Sequence, residues 1–150
     1  MSPTAIILLV LLASIGISLG LAALIVRRGR AQADKALADV VGRQRSVAAT
    51  ALGRTDPQGR GNLLSTGTLV LAAEEVAFAQ WRPLRVLRIP RRSIVKVDTT
   101  REHLGKTMRS DLLRITWDED GIDQQVAFFI RDLDPWLADL GGRRAEPPAS

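Results

Sequence analysis

Apolar residues fall along this chain in three patterns, and each predicts a different element. From Ala5 to Val26 they are continuous, AIILLVLLASIGISLGLAALIV, with no charged side chain among them. As a helix this run is about 33 Å long, matching a hydrocarbon core of about 30 Å, so one transmembrane helix over residues 5–26 is expected. Next, Ala31 to Arg45 puts Ala33, Ala36, Leu37, Val40 and Val41 on one helical face, with Asp34, Lys35 and Asp39 elsewhere. That spacing predicts a modest amphipathic helix, separate from the span or continuing it, whose apolar face packs on the domain, on lipid or on a second copy. Ser46 to Asn62 carries Gly53, Asp56-Pro57, Gly59 and Gly61 among scattered large apolar residues and reads as a linker. If flexible, it has a root-mean-square span of roughly 20 to 25 Å.

From Leu63 the pattern changes to short apolar alternations separated by turn residues, as in an antiparallel sheet or small barrel. Candidate strands are Thr68 to Ala73, Val76 to Trp81, Leu84 to Ile89, Ile94 to Thr99, Leu112 to Asp118, and a sixth containing Val126, Phe128 and Ile130. Asp120-Gly121 between the last two is a type I′ turn signal, since both central residues need positive φ, and it predicts a hairpin. A short helix then closes the domain, with Asp134 placed to cap it, Pro135 suited to its first position, and Leu133, Trp136, Leu137 and Leu140 at helical spacing before Gly141-Gly142. The tail from residue 141 to 150 is expected to be disordered. Domain organisation is therefore a span over 5–26, a basic juxtamembrane helix and linker over 27–62, and a soluble domain over 63–140.

Charge refines this picture. The formal net charge of +5 is concentrated in residues 27–62, where Arg27, Arg28, Arg30, Lys35, Arg43, Arg45, Arg54 and Arg60 outweigh Asp34, Asp39 and Asp56, while residues 63–140 are nearly neutral. A nucleic-acid footprint would need the basic face on the domain itself, so nucleic acid is excluded as a partner. Arg27, Arg28 and Arg30 directly follow the span, whereas Met1 to Thr4 carry no Lys or Arg, and this bias places the soluble domain in the cytoplasm and the N-terminus outside, in the plasma membrane. A cleaved signal peptide is the rival reading, but it needs a basic leading region, a shorter apolar core and a small-residue cleavage site. Gly16 and Gly20 form a GxxxG that would let two spans pair in a homodimer, although both residues are ordinary in membrane helices. Only three of the 21 basic residues are lysines, a bias that with abundant Ala and Gly suggests a GC-rich bacterial genome.

Six or seven short antiparallel strands and one covering helix resemble the pleckstrin-homology (PH) superfold, in its bacterial PH-like or GRAM-like branch. The residues that carry the resemblance are Gly67-Thr68-Leu69-Val70-Leu71, Val76-Ala77-Phe78, Leu87-Arg88-Ile89-Pro90 with Ile94 and Val97, and the last strand leading into Asp134-Pro135-Trp136-Leu137. It covers residues 63–140 and implies an α+β, mainly antiparallel β fold and a habit of binding. PH domains that hold phosphoinositides generally do so with basic side chains around the first hairpin turn. The turn taken to correspond here, Ala72-Ala73-Glu74-Glu75, is acidic, which argues against that lipid pocket.

Candidate chemistry is sparse. His103 is the only histidine and cysteine is absent, so neither a Cys/His dyad nor a zinc cluster is available. Ser110 and Asp111 lie near His103 without a nucleophile elbow, and His103 reads as a loop residue. Gly105-Lys106-Thr107 lacks the first glycine and the strand-to-helix context of a phosphate loop. Asp118, Glu119, Asp120 and Asp123 lack calcium-loop spacing and suit a charged hairpin tip. No enzyme, cofactor or metal is expected. Arg82, Arg85, Arg88, Arg91, Arg92 and Lys96 form the candidate contact with an anionic lipid surface, at about 1 kcal/mol each near the bilayer, set against the simpler reading of a solvated strand face balanced by acids. The function expected is a membrane-anchored interaction module holding a partner protein or membrane complex, with a lipid-headgroup sensor or an accessory subunit of a transporter or export complex as alternatives.

Overall fold

The computed structural model describes residues 3–53 and 65–144, with the backbone alone described for residues 3, 43–49, 52, 65 and 106. The apolar run forms one continuous helix, α1 (Pro3–Ala36), which passes through Arg27, Arg28 and Arg30 without a break. Along the run the large apolar side chains from Ile6 to Val26 face outward, except Ile25, which is half-buried. The two serine hydroxyls donate to the helix's own carbonyls, Ser14 to Leu11 at 2.8 Å and Ser18 to Ser14 at 2.9 Å, which removes polar groups from that surface. The helix is long and apolar enough to cross a membrane.

α1 ends sooner than the periodicity of residues 31–45 predicts. A tight turn, with the Val40 amide donating to the Leu37 carbonyl at 3.0 Å, leads directly into β1 (Gly42–Leu52). Residues 42–52 are therefore not linker and the sheet does not start at Leu63. Strands β2 (Ser65–Ala72), β3 (Glu75–Gln80), β4 (Arg85–Pro90), β5 (Ile94–His103), β6 (Lys106–Glu119) and β7 (Ile122–Phe129) follow, a 3-10 turn over Arg91–Ser93 joining β4 to β5. They make one antiparallel seven-stranded sheet in the order β4-β3-β2-β1-β7-β6-β5, so the strand hidden from the sequence is the central one. Ala72 to Glu75 is thus the second hairpin turn, not the first. The first connection, residues 54–64, lies outside the described residues.

The predicted turn at Asp120-Gly121 has φ of 57° and 81° and closes the Glu119–Ile122 pair. A second turn of this kind, Leu104-Gly105 with φ of 52° and 72°, makes residues 100–111 a continuation of β5 and β6 where a loop is predicted. The flanking His103 consequently sits at a strand end, buried, its Nε2 3.4 Å from the Gly53 carbonyl.

In a flat sheet β3 and β7, three strands apart, would be about 14 Å from one another. Instead the rings of Phe78 and Phe128 pack with centroids 5.4 Å apart, so the sheet folds over and its inner face closes on itself. Leu69, Leu71, Val76, Ile89, Leu113, Ile115, Trp117 and Val126 complete this core. Helix α2 (Asp134–Leu140) covers its mouth with Leu133, Trp136 and Leu137 buried. Asp134 does not cap it: Leu133 occupies that position in helical conformation, and the Asp134 carboxylate instead pairs with Arg144. The helix ends with Gly141 at φ 67°, the Gly142 amide donating to the Leu137 carbonyl at 2.8 Å. Residues 141–144, predicted as tail, are ordered: the Arg143 amide donates to the Val97 carbonyl at 3.3 Å, and Arg144 also reaches Asp111 at 3.4 Å.

Candidate functional site

The outer face of β2 and β3 is where helix α1 meets the domain. Inward positions of β3 are Val76 and Phe78, and outward positions are Ala77 and Ala79, fully buried where a solvated strand would carry polar residues. With Val70 and Ala72 they form a shallow trough filled by Ala33 of α1 and by Leu37 and Val40 of the turn that follows it. Small sheet residues let the helix come close, and Gly29 allows the closest approach: a Cβ there would lie 2.9 Å from the Trp81 carbonyl oxygen and 3.2 Å from the Trp81 Cβ. The buried stripe Gly29, Ala33, Leu37 has the i, i+4, i+8 spacing of one helical face. Of the face predicted from sequence, Ala33, Leu37 and Val40 are buried, while Val41 is 88% exposed at the turn into β1.

Polar contacts hold the far end of the docked segment and, at the near end, the sheet surface on which it lies. At its far end the Arg88 guanidinium donates to both Asp39 carboxylate oxygens at 2.8 and 2.9 Å and to Glu75 at 3.0 Å. The Arg88 hydrogen bond holds the Asp39 carboxyl below the usual carboxylate range, and Asp39 in turn raises the Arg88 pKa. At the near end the Trp81 indole donates to the buried Thr68 hydroxyl at 3.1 Å, and the Trp81 amide to the Thr66 carbonyl at 3.0 Å. The helix thus runs antiparallel to β3, from Trp81 at Gly29 to Glu75 and Arg88 at Asp39. The domain is held against the C-terminal part of α1 instead of swinging on a flexible tether.

This arrangement divides the six basic residues singled out from the sequence. Arg82 and Arg85 lie exposed on the β3–β4 turn beside Gly29. Arg88 is engaged with Asp39 and Glu75. Arg91 and Arg92 sit at the other end of β4, about 17 Å away for a strand of this length. There Arg91 donates to the Asp139 carbonyl at 2.5 Å, near the carbonyl end of α2 where a cation is favoured. Lys96 pairs with Asp98 at 3.0 Å. Asp98 is nearly buried, and desolvation alone would raise its pKa, but hydrogen bonds from Arg114 at 2.8 and 2.6 Å and from Lys96 outweigh that and leave it lowered. The residues do not form one patch. Arg27, Arg28 and Arg30 stand exposed on the exterior of α1, Arg30 4.0 Å from Asp34, and Gly16 and Gly20 lie on the open surface of the span.

Ser110, Asp111 and His103 are not assembled for catalysis. Asp111 receives Arg101 at 2.7 Å and Arg144, while His103 faces Gly53. A cleft of about 470 Å³ beside Asp111 is lined by Ser110, Arg131, Asp132, Asp134 and Arg144, where the Arg144–Asp134 pair already joins its walls. Among the described residues, no group of three or more His, Asp or Glu is placed to hold a metal ion. Sequence reasoning missed Gly29, Trp81 and the outward Ala77 and Ala79. The signal for them was an alanine face on a strand with no sequence element assigned to cover it.

No family model matches the chain, and no curated protein matches it. Among solved structures it is similar to the hSac2 domain from human phosphoinositide phosphatase Sac2, at 14% identity and a TM-score of 0.42, over 73% of this chain and 82% of that one.

Proposed function

We infer that this chain is a single-pass membrane protein that presents a PH-like interaction module at the cytoplasmic face and holds a partner protein or membrane complex there, without catalysis of its own. The observation that carries this is the docking of Gly29 to Val40 on the outer face of β2 and β3, which makes span and domain one body. An unbroken helix through Arg27 to Ala36 supports an anchor over a cleaved leader, and the arginines past Val26 support an inward-facing domain. The Arg-rich, Lys-poor composition supports a bacterial source. A built-in anchor supplies the membrane attachment that headgroup affinity would otherwise provide, which favours protein over lipid as what the module recognises.

Two measurements test this. A reporter active only in the cytoplasm, fused after Ser150, is expected to be active, and activity solely from a periplasm-dependent reporter would overturn the orientation. Affinity purification from native membranes in mild detergent is expected to yield a stoichiometric protein partner. Elution of the chain with a single enriched anionic lipid and no protein would replace this reading with headgroup sensing.

A further inference from the structure

Docking fixes the height of the β3–β4 turn relative to the bilayer, provided that α1 spans it, as proposed above. The apolar run ends at Val26, and a 22-residue helix of about 33 Å leaves little freedom to slide against a core of about 30 Å. Gly29 lies three residues further, about 4.5 Å along the axis. The headgroup layer on each side is roughly 5 to 8 Å deep, so Gly29 and the Trp81 backbone against it stand within that layer.

β3 runs antiparallel to the helix, so the residues after Trp81 continue toward the acyl chains. A Cβ on Gly29 would also lie 3.4 Å from the Arg82 Cγ, which places the start of the turn against the helix. The turn is then Trp81-Arg82-Pro83-Leu84-Arg85, followed by Val86 on the outer face of β4, opposite Ala79. Leu84 is 46% and Val86 43% exposed, apolar side chains on the surface next to the emerging span. Arg82 and Arg85 flank them, exposed and with no ion-pair partner among the described residues. Aliphatic side chains and arginines at headgroup depth are what an interfacial contact requires: apolar groups at the acyl boundary and guanidinium groups at lipid phosphates.

We propose that the β3–β4 turn, from Trp81 to Val86, is a second membrane contact, seated in the headgroup layer beside the span with Leu84 and Val86 at the acyl boundary and Arg82 and Arg85 on lipid phosphates. It would hold the domain at a fixed tilt over the lipid and leave the end of the sheet carrying Glu74 and Glu75 facing the aqueous side.

The chain has no cysteine, so single spin labels can be placed without background. Leu84→Cys, Val41→Cys and Ser14→Cys would be labelled in the full chain, reconstituted in phosphatidylcholine–phosphatidylglycerol nanodiscs, and collisions measured with oxygen and with a water-soluble nickel chelate. Val41 is the aqueous reference, beyond the helix end and 88% exposed, and Ser14 is the reference within the span. The expected result is a Leu84 label shielded from the nickel reagent and enriched in oxygen collisions, intermediate between the other two. A Leu84 label as accessible to nickel as Val41, with Ser14 lipid-like, would overturn the second contact and leave the span intact. A water-accessible Ser14 would overturn the spanning reading together with this one. Shielding of Val41 equal to that of Leu84 would overturn the specific placement of the turn.

Discussion

Leu37→Ala tests whether α1 and the sheet domain are one body. Leu37 is 1% exposed and its neighbours across the interface are Val70, Ala72, Ala77 and Ala79. Burying a leucine side chain is worth about 1.5 to 3 kcal/mol, and truncation adds a cavity cost that depends on how far the surroundings can relax. Here the lining is mostly alanine on a hydrogen-bonded sheet, with no rotamers to swing into the void. A loss near 3 kcal/mol is therefore expected, roughly a 150-fold fall in the ratio of docked to undocked segment. Native-state hydrogen exchange on the full chain in nanodiscs would read this as faster exchange over residues 33–40, with β6 and β7 unchanged. Val41→Ala, next to the same segment but outside the interface, should shift exchange by less than about 0.5 kcal/mol. Equal effects of the two substitutions, or unchanged exchange in Leu37→Ala, would refute the docking argument.

Other consequences can be checked on the domain. Trp136→Ala should destabilise the full chain in detergent by about 3 to 5 kcal/mol on chemical denaturation, since the ring is 4% exposed over the core mouth, and a neutral result would refute its covering role. A chain starting at Leu63 lacks the central strand and should be insoluble or lose its β circular-dichroism signal, whereas one starting at Gly42 keeps all seven strands; a folded domain from Leu63 would refute the assigned sheet order. Asp98→Asn should destabilise by about 1 to 3 kcal/mol at neutral pH by weakening the Arg114 and Lys96 contacts. Because the folded pKa of Asp98 is depressed, its contribution is fully present above the unfolded value of about 3.9 and is lost as pH falls through the folded value. The stability gap between the two proteins should close below about pH 4 in urea titrations, and a gap constant to lower pH would refute the ionic origin.

Much of the fold could be read from local pattern. The Asp120-Gly121 hairpin and the stripe of α2 follow from local sequence, and β2, β3, β6 and β7 put their larger apolar residues, such as Leu69, Leu71, Val76, Phe78, Leu113, Ile115, Val126 and Phe128, toward one core, which leaves a periodic trace even where smaller residues bury the other face as well. β1 leaves little: GRQRSVAATAL has few large apolar side chains, and its strand state is imposed by partners on both sides, β2 and β7, that lie further along the chain. The residues before it carry a helical spacing that stops at Ala36 because the chain must turn at Leu37 to Val40 to enter the sheet. Splitting of the basic cluster was equally illegible, since Arg88 finds Asp39 and Arg91 finds Asp139 only through tertiary approach.

The central position of β1 also sets an order of events during synthesis. The helix before it leaves the ribosome first and, with the anchoring proposed above, would be inserted while β1 is still emerging, and β2, β3 and β4 can pair with it and one another as they appear. Its other edge waits for β7, because Thr50 pairs with Phe129. At about 5 to 20 residues per second, that interval is on the order of several seconds, during which the strand keeps an open edge that, in an anchored chain, would stand next to the translocation machinery. A chaperone or translocon component able to shield an unpaired edge at the membrane surface would therefore act on this protein before residue 129 is made. Arrest of translation between β4 and β7 should leave the nascent chain inserted but aggregation-prone.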